Sequence, residues 1–216
     1  MGEAARKKIE DFEAGIITEV ADNRKTINTR LKKLVSVARE LFFRFGIRRV
    51  SVEEICRKAN VSKMTFYKYF KNKDDIAIHI IDSMYGRAFK EIDAIMAQDT
   101  PFDDRMKQLM AYKIKLAKDF SKEFIKEIMM DMDSECGRFL AKKKEETYGK
   151  ARQIYSEAQK KGEIRQDIKI DFIMYMMDNI GKLFAEKYIL DMYPDMTDLM
   201  NDVFNMVFYG LLERKK

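Results

Sequence analysis

Residues 51–75 read SVEEICRKANVSKMTFYKYFKNKDD. The stretch is punctuated by helix caps. Ser51 and Glu54 form a capping box, in which the Ser hydroxyl takes the amide three residues on and the Glu can reach back. The helix so opened carries Val52, Ile55, Cys56 and Ala59 on one face. It is expected to stop at Asn60, one of the few residues besides Gly that tolerate the left-handed conformation. Ser62 then caps a second short helix, expected to run to about Phe70. Asn72 caps a third, with Asp74 and Asp75 in its first turn, where the helix dipole favours acids. Two short capped helices joined by Asn60-Val61-Ser62 spell a helix-turn-helix. Such a motif needs a small residue where its helices cross, and Cys56 is nearly Ala-sized. It also needs apolar residues to lock the helices, and Ile55, Val61 and Phe66 supply them.

The second half of the stretch mixes rings with cations. Phe66, Tyr67, Tyr69 and Phe70 form two adjacent pairs among Lys63, Lys68, Lys71 and Lys73. A simple amphipathic helix would not place both members of an adjacent pair in its core. Spacing alone would let Tyr67 and Tyr69 pack half-buried against the following helix.

Working outward, the surrounding segment is basic. Residues 24–90 hold 17 Lys+Arg against 6 Asp+Glu, whereas the whole 216-residue chain has a net charge of only +6. All the excess positive charge therefore lies in this segment, which suggests a polyanionic partner: nucleic acid or an anionic membrane surface. Few Gly and Pro (9 and 2), no Trp, and a predominance of Lys, Glu, Met, Ala, Leu and Arg argue for an all-α protein. No apolar run is long enough to span a bilayer. Residues 1–23 lack the continuous apolar run of a secretory leader. Cys56 and Cys136 form no CxxC pair, and a reduced cytoplasm is the expected location.

Helical periodicity divides the rest. Residues 1–28 form an N-terminal extension with Ala5, Ile9, Phe12, Ile16 and Val20 on one helical face. A helix over 29–46 carries Leu31, Leu34, Val35, Ala38, Leu41, Phe42 and Phe45 on its apolar face, and Gly46 fits the left-handed position that ends it. The helix opened by Asn72 runs through Ile76, Ile80, Met84 and Ala88. Pro101 marks a boundary, followed by helical segments at about 102–119, 121–135, 139–160, 168–191 and 196–213, with a strong break at Gly162. The expected units are 29–90 and 91–216.

The run RRVSVEEICRKANVSKMTFYKYFKNKDDI, preceded by ARELFFRFGI, resembles the tetracycline-repressor (TetR) family of bacterial transcription regulators. The resemblance covers residues 29 to about 90 and centres on VSKMTFYKYFKNKDD. Two positions depart from the family pattern: Asn60 stands where Gly is usual, and Cys56 where Ala is usual. The resemblance implies an N-terminal three-helix DNA-binding domain, a larger C-terminal helical ligand-binding and dimerisation domain, and a repressor of palindromic operators released by a small effector. It places Lys63, Met64 and Thr65 nearest the base edges, after the Ser62 cap. Lys63 is suited to guanine acceptors, and Met64 and Thr65 to a thymine methyl. Tyr67, Lys68, Tyr69, Lys73 and Ser51 are placed at phosphates, Lys73 beside free backbone amides. Phe66 and Phe70 would face the domain core.

Beyond Pro101 the chain is rich in Met, with twelve of the sixteen between 106 and 206. Ordinary helical core explains most of these, although Met also adapts to varied apolar ligands. The resemblance implies a homodimer through the last two helices, with Ile173, Met177, Ile180, Leu183, Phe184, Val203, Phe204 and Val207 as candidate interface residues. Gly181 and Gly210 are candidates for close helix approach. A pocket for a hydrophobic or aromatic effector is expected among Tyr112, Phe120, Phe124, Met129, Phe139, Tyr148 and Tyr155.

Rival readings are weaker. His79 is the only histidine, and no phosphate loop, Cys/His metal set or nucleophile elbow is present, so neither catalytic residues nor a metal or cofactor is expected. Asp131 to Glu135 has the acidic spacing that opens a calcium loop. However, Gly137 falls one position late and Lys142 stands where the bidentate Glu belongs. At a membrane surface the cap–turn–cap pattern would have no purpose.

Overall fold

The protein was analysed as a computed structural model, which describes residues 29–129, 133–184, 186–193 and 195–211, the side chains of Met129 and Leu211 excepted. The helix expected in residues 1–28 lies outside the described residues. The described residues form ten α-helices and no strand. They are α1 (29–45), α2 (Val52–Ala59), α3 (Lys63–Tyr67), α4 (Lys73–Met96), α5 (Phe102–Ala117), α6 (Lys122–Met129), α7 (Glu135–Lys160), α8 (Ile170–Leu183), α9 (Lys187–Met192) and α10 (Met196–Leu211).

The caps read from the sequence are made. Ser51 Oγ accepts the Glu54 amide at 3.1 Å, Ser62 Oγ the Thr65 amide at 3.0 Å, and Asn72 Oδ1 the Asp75 amide at 2.8 Å. Asp75 also accepts the Lys71 amide, one residue before the cap, at 2.9 Å. Asn60 sits in the left-handed region, at φ 51° and ψ 51°. Gly46 does likewise at φ +80°, and its amide bonds Phe42 O at 2.8 Å.

Helices α1 to α4 enclose a first core of Leu34, Phe42, Ile55, Phe66, Ile76 and their neighbours. Full burial of each such side chain contributes about 1.5–3 kcal/mol. Cys56, 4% exposed, lies in this core beside Ala59, where a larger side chain would separate α2 from α3. Phe124 from α6, and Cys136 and Leu140 from α7, complete the same core. A second core gathers Ile92 and Ile95 of α4, Phe102, Met106 and Leu109 of α5, and Tyr155, Ile173 and Phe208. Helix α4 thus contributes its first half to one core and its last turns to the other.

Polar links fix the remaining elements. Arg105, 8% exposed, reaches Glu163 at 2.8 Å and ties α5 to the turn after α7. That turn is set by Gly162 at φ +72°, with the Glu163 amide returning to Ala158 O at 2.9 Å. Lys122 Nζ bonds the carbonyls of Leu190 (2.9 Å) and Tyr193 (3.2 Å) and so holds the end of α9 to α6.

Several boundaries differ from expectation. Helix α3 ends at Tyr67, not near Phe70. The Tyr69 and Phe70 amides both turn back to Phe66 O (2.9 and 3.0 Å), which tucks Phe70 into the first core. Helix α7 begins at Glu135 because Ser134 caps it through the Gly137 amide at 2.9 Å. The segment expected as one helix over 168–191 is divided into α8 and α9. No Gly or Pro marks that break. Instead Phe184, Ile189 and Leu190 pack against Ile125, Met196 and Leu199, and this packing redirects the chain.

Candidate nucleic-acid interface

Helix α3 has two unlike faces. Phe66 is fully buried, and its ring meets Phe70 at 5.7 Å between centroids. On the opposite side Met64 is 73% exposed and Tyr67 56% exposed. Lys63 and Lys68 are exposed with them, and Thr65 is half-buried with its hydroxyl 2.9 Å from Ser62 Oγ. The adjacent aromatic pairs therefore divide between core and surface: Phe66 and Phe70 go inward and Tyr67 outward. Tyr69 is intermediate, its ring resting partly on the first core. Ser51 and Ser62 are exposed and engaged as caps through their hydroxyl oxygens.

Two of the basic residues already have partners. Lys63 Nζ pairs with the carboxylate of Glu53 on α2. This hydrogen bond lowers the Glu53 carboxyl and raises the Lys63 ammonium relative to their ordinary values. Lys73 Nζ donates to Arg48 O at 2.9 Å, bridging the start of α4 to the turn between α1 and α2. Arg48 and Arg49 in that turn add two exposed cations that motif reasoning passed over. Arg49 stacks on the Phe45 ring at 4.4 Å, with Arg44 also near that ring at 5.1 Å. Their adjacent placement in GIRRVS was the available signal.

The same turn is held from α6. Glu127 accepts the amides of Ile47 and Arg48, the latter at 3.2 Å. Its carboxylate lies where a Cβ on Gly46 would come within 2.9 Å of it. Nearer the end of α1 the Ser121 amide bonds Phe43 O at 2.7 Å, and Phe43 meets Phe120 and Phe124 at 4.7 and 4.8 Å.

The residues expected at an effector site do not converge. Tyr112 and Phe120 share a cavity of about 790 Å³ between α1, α4, α5 and residues 118–121. Phe124 is instead buried in the first core and Tyr155 in the second, where it meets Phe102. Phe139 packs on the first core beneath Lys143. Tyr148 donates its hydroxyl to Asp178 at 2.8 Å, and burial pushes that hydroxyl well above its ordinary pKa. The Met129 side chain lies outside the described residues. Aromatic residues at helical spacing were taken up by two cores.

Among the candidate interface residues, Ile173 is 3% exposed inside its own second core. Met177, Phe204 and Val207 pack partly against that core, Phe184 and Val203 against the third cluster, and Ile180 and Leu183 are half-buried. The large apolar residues left exposed on these helices are their neighbours: Phe172, Tyr175 and Met176 on α8, and Met206 and Tyr209 on α10.

A short capped helix, presented by two supporting helices with its polar face outward inside a basic unit, defines a helix-turn-helix protein. Residues 34–80, which hold most of α1, all of α2 and α3 and the start of α4, match the family model for bacterial regulatory proteins of the tetR family. The matched segment is the helix-turn-helix that transcription regulators use to bind DNA. Over 196 residues the chain is 24% identical to the uncharacterized HTH-type transcriptional regulator YdgC of Bacillus subtilis (strain 168), a match spanning 88% of this chain and 96% of that protein. The match to YhgD of the same organism, also an uncharacterized HTH-type regulator, is 27% identical over 77 residues and spans 36% of this chain but only 40% of that protein. The fold is similar to the fatty acid degradation regulator FadR from Bacillus halodurans, with TM-score 0.67 at 18% identity over 86% of this chain and 97% of that one. It is also similar to FadR from Bacillus subtilis in complex with stearoyl-CoA, with TM-score 0.66 at 17% identity over 82% of this chain and 97% of that one. Among the described residues no helix is long and apolar enough to cross a membrane.

Proposed function

We propose that the chain is a ligand-responsive repressor that binds a palindromic operator as a homodimer in the cytoplasm and releases it when a small hydrophobic or aromatic effector binds. In this reading residues 29–90 bind DNA and residues 91–216 bind the effector and the second subunit. The observation that carries it is the division of α3, with Phe66 fully buried while Met64 and Tyr67 stand 73% and 56% exposed. A helix so anchored can enter a major groove N-terminus first, with Lys63, Met64 and Thr65 toward base edges. Tyr67, Lys68, Lys73 and the Ser51 hydroxyl then lie toward phosphates. Tyr69 would contribute its hydroxyl from a half-buried ring.

The exposed rings and methionines of α8 and α10 support pairing of two copies, since apolar side chains clustered on facing helices gain from mutual burial. Two heads joined in this way must set their recognition helices about 34 Å apart to meet successive major grooves. An effector that favours another spacing weakens DNA binding by its difference in affinity for the two arrangements. A cavity of about 790 Å³ is ample for a small effector.

Selection of bound sequences from a random duplex pool tests the reading. A palindrome with half-sites about one helical turn apart is expected, bound with steep salt dependence. Recovery of no shared sequence, or binding to anionic vesicles as tight as to duplex, refutes it.

A further inference from the structure

The 790 Å³ cavity carries a charge pattern that a purely hydrophobic ligand would leave unused. Arg39 and Arg44 come from α1, Arg87 from α4, and Lys118 follows α5; Glu40 and Asp119 are the acids of the lining. The Glu40 carboxylate is engaged by Lys58, 3.4 Å away. Among the described residues Arg39, Arg87 and Lys118 form no ion pair, and the Arg87 guanidinium reaches only the Ser83 hydroxyl, at 3.2 Å. The lining is therefore net positive with cations available. Its apolar part is ring-rich: Phe43 and Phe120 meet edge to face at 4.7 Å, and Tyr112 and Leu116 stand on the α5 side. Arg87 faces Tyr112, whose hydroxyl pKa is raised by burial and by Glu91 and opposed by the Arg87 charge.

We propose that this cavity, between the first helix of the DNA-binding unit and α4–α5, binds an aromatic anion, its carboxylate or phosphate held by Arg39 and Arg87 and its ring system packed on Phe43, Tyr112 and Phe120. The inference rests on the ligand-responsive reading above, gives that ligand a charge, and moves its site from residues 91–216 alone to the border they share with α1 and α4. A cationic ligand meets net repulsion here. A neutral apolar one leaves the guanidinium groups without a partner, whereas Arg forks match carboxylate and phosphate oxygens in pairs. A ring system suits the wall, since aromatic pairs prefer edge-to-face and offset arrangements.

Calorimetric titration of the full chain with 2-naphthoate, 1-naphthyl phosphate, neutral 2-naphthalenemethanol and 1-naphthylmethylammonium tests this. With no Trp in the sequence, naphthyl fluorescence gives a second readout free of indole emission. Both anions, or one of them, should bind at least about tenfold more tightly than the alcohol and the ammonium. The tighter of the two anions identifies the head group. The double variant R39A/R87A, altered at two exposed positions and checked by thermal melting, should lose that preference. S36F, which fills the cavity from α1, should abolish binding of every probe. Equal binding of all four probes, no binding of either anion, or an unchanged preference in R39A/R87A overturns the proposal. Operator affinity measured with saturating anion separates the two readings: an anion that binds as expected yet leaves DNA affinity unchanged overturns ligand-controlled release and leaves the binding site standing.

Discussion

Replacing Glu127 with Ala tests the joint between α6 and the DNA-binding unit. The carboxylate accepts two backbone amides in the turn after α1, those of Ile47 and Arg48. Their environments differ. Arg48 is exposed, so water can satisfy its amide once the carboxylate is gone, whereas Ile47 is 3% exposed and its amide would be left buried without an acceptor. An orphaned buried donor costs about 1–3 kcal/mol, and loss of a charged acceptor lies toward the upper end. E127A should therefore destabilise the chain by about 2–3 kcal/mol, which for a protein of this size lowers Tm by roughly 4–12 °C. E127Q keeps an oxygen acceptor and should lose about 1 kcal/mol. E123A, at an exposed position one turn earlier on α6, is the control and should stay within about 0.5 kcal/mol of wild type. The assay is urea unfolding followed by circular dichroism at 222 nm, with thermal melts alongside. If E127A matches E123A, the turn satisfies its amides elsewhere and the account of this joint is wrong.

The Lys63–Glu53 pair makes opposite predictions for its two members: K63A should lose about tenfold in affinity, concentrated at one base pair of the operator, while E53Q should gain affinity by releasing the ammonium. A loss spread evenly over operator variants would show that Lys63 reads no base. Y67F should weaken operator binding about fivefold through one lost phosphate contact while leaving the melting temperature unchanged, because the ring is 56% exposed; a fall in Tm without a fall in affinity would make Tyr67 a packing residue. The Asp178 carboxyl is held down to about 2 by the Tyr148 hydroxyl first, then by Lys144 and Lys182. Its stabilisation is complete above the ordinary carboxylate value and is lost as pH falls from about 4 to about 2. With a third of the side chain exposed this amounts to about 1 kcal/mol. D178N should flatten that part of the stability–pH profile, and an unchanged acid limb would refute the assignment.

What the sequence revealed was local. Ser51, Ser62 and Asn72 accept amides three residues on and Asn60 turns its own backbone, so their roles and the helix-turn-helix they build are legible without a fold. The boundary at Pro101 and the turn at Gly162 are legible for the same reason. What depends on distant partners was not. Glu127 and Ile47 are 80 residues apart, and no pattern in either segment announces their bond. The break between α8 and α9 comes from packing of Phe184, Ile189 and Leu190 and carries no Gly or Pro. The scattered fate of the expected pocket residues has a like cause. Periodicity shows that Phe124 and Tyr155 face inward but not that they enter different cores, and no pattern in the sequence places Arg39 of α1 and Arg87 of α4 around one cavity.

Helix α4 has a consequence for how the molecule comes apart. It is one rod of 24 residues, about 36 Å long, with Ile76, Ala77, Ile80 and Ile81 in the first core and Ile92 and Ile95 in the second. Neither core can melt without fraying a helix the other requires, and the first also draws Phe124, Cys136 and Leu140 from beyond residue 120. A segment cut after residue 90 would leave that core open on the side those three residues cover. Folding of the DNA-reading end is thus tied to folding of the rest, and a partly synthesised chain cannot finish its reading head until α6 and α7 have joined it.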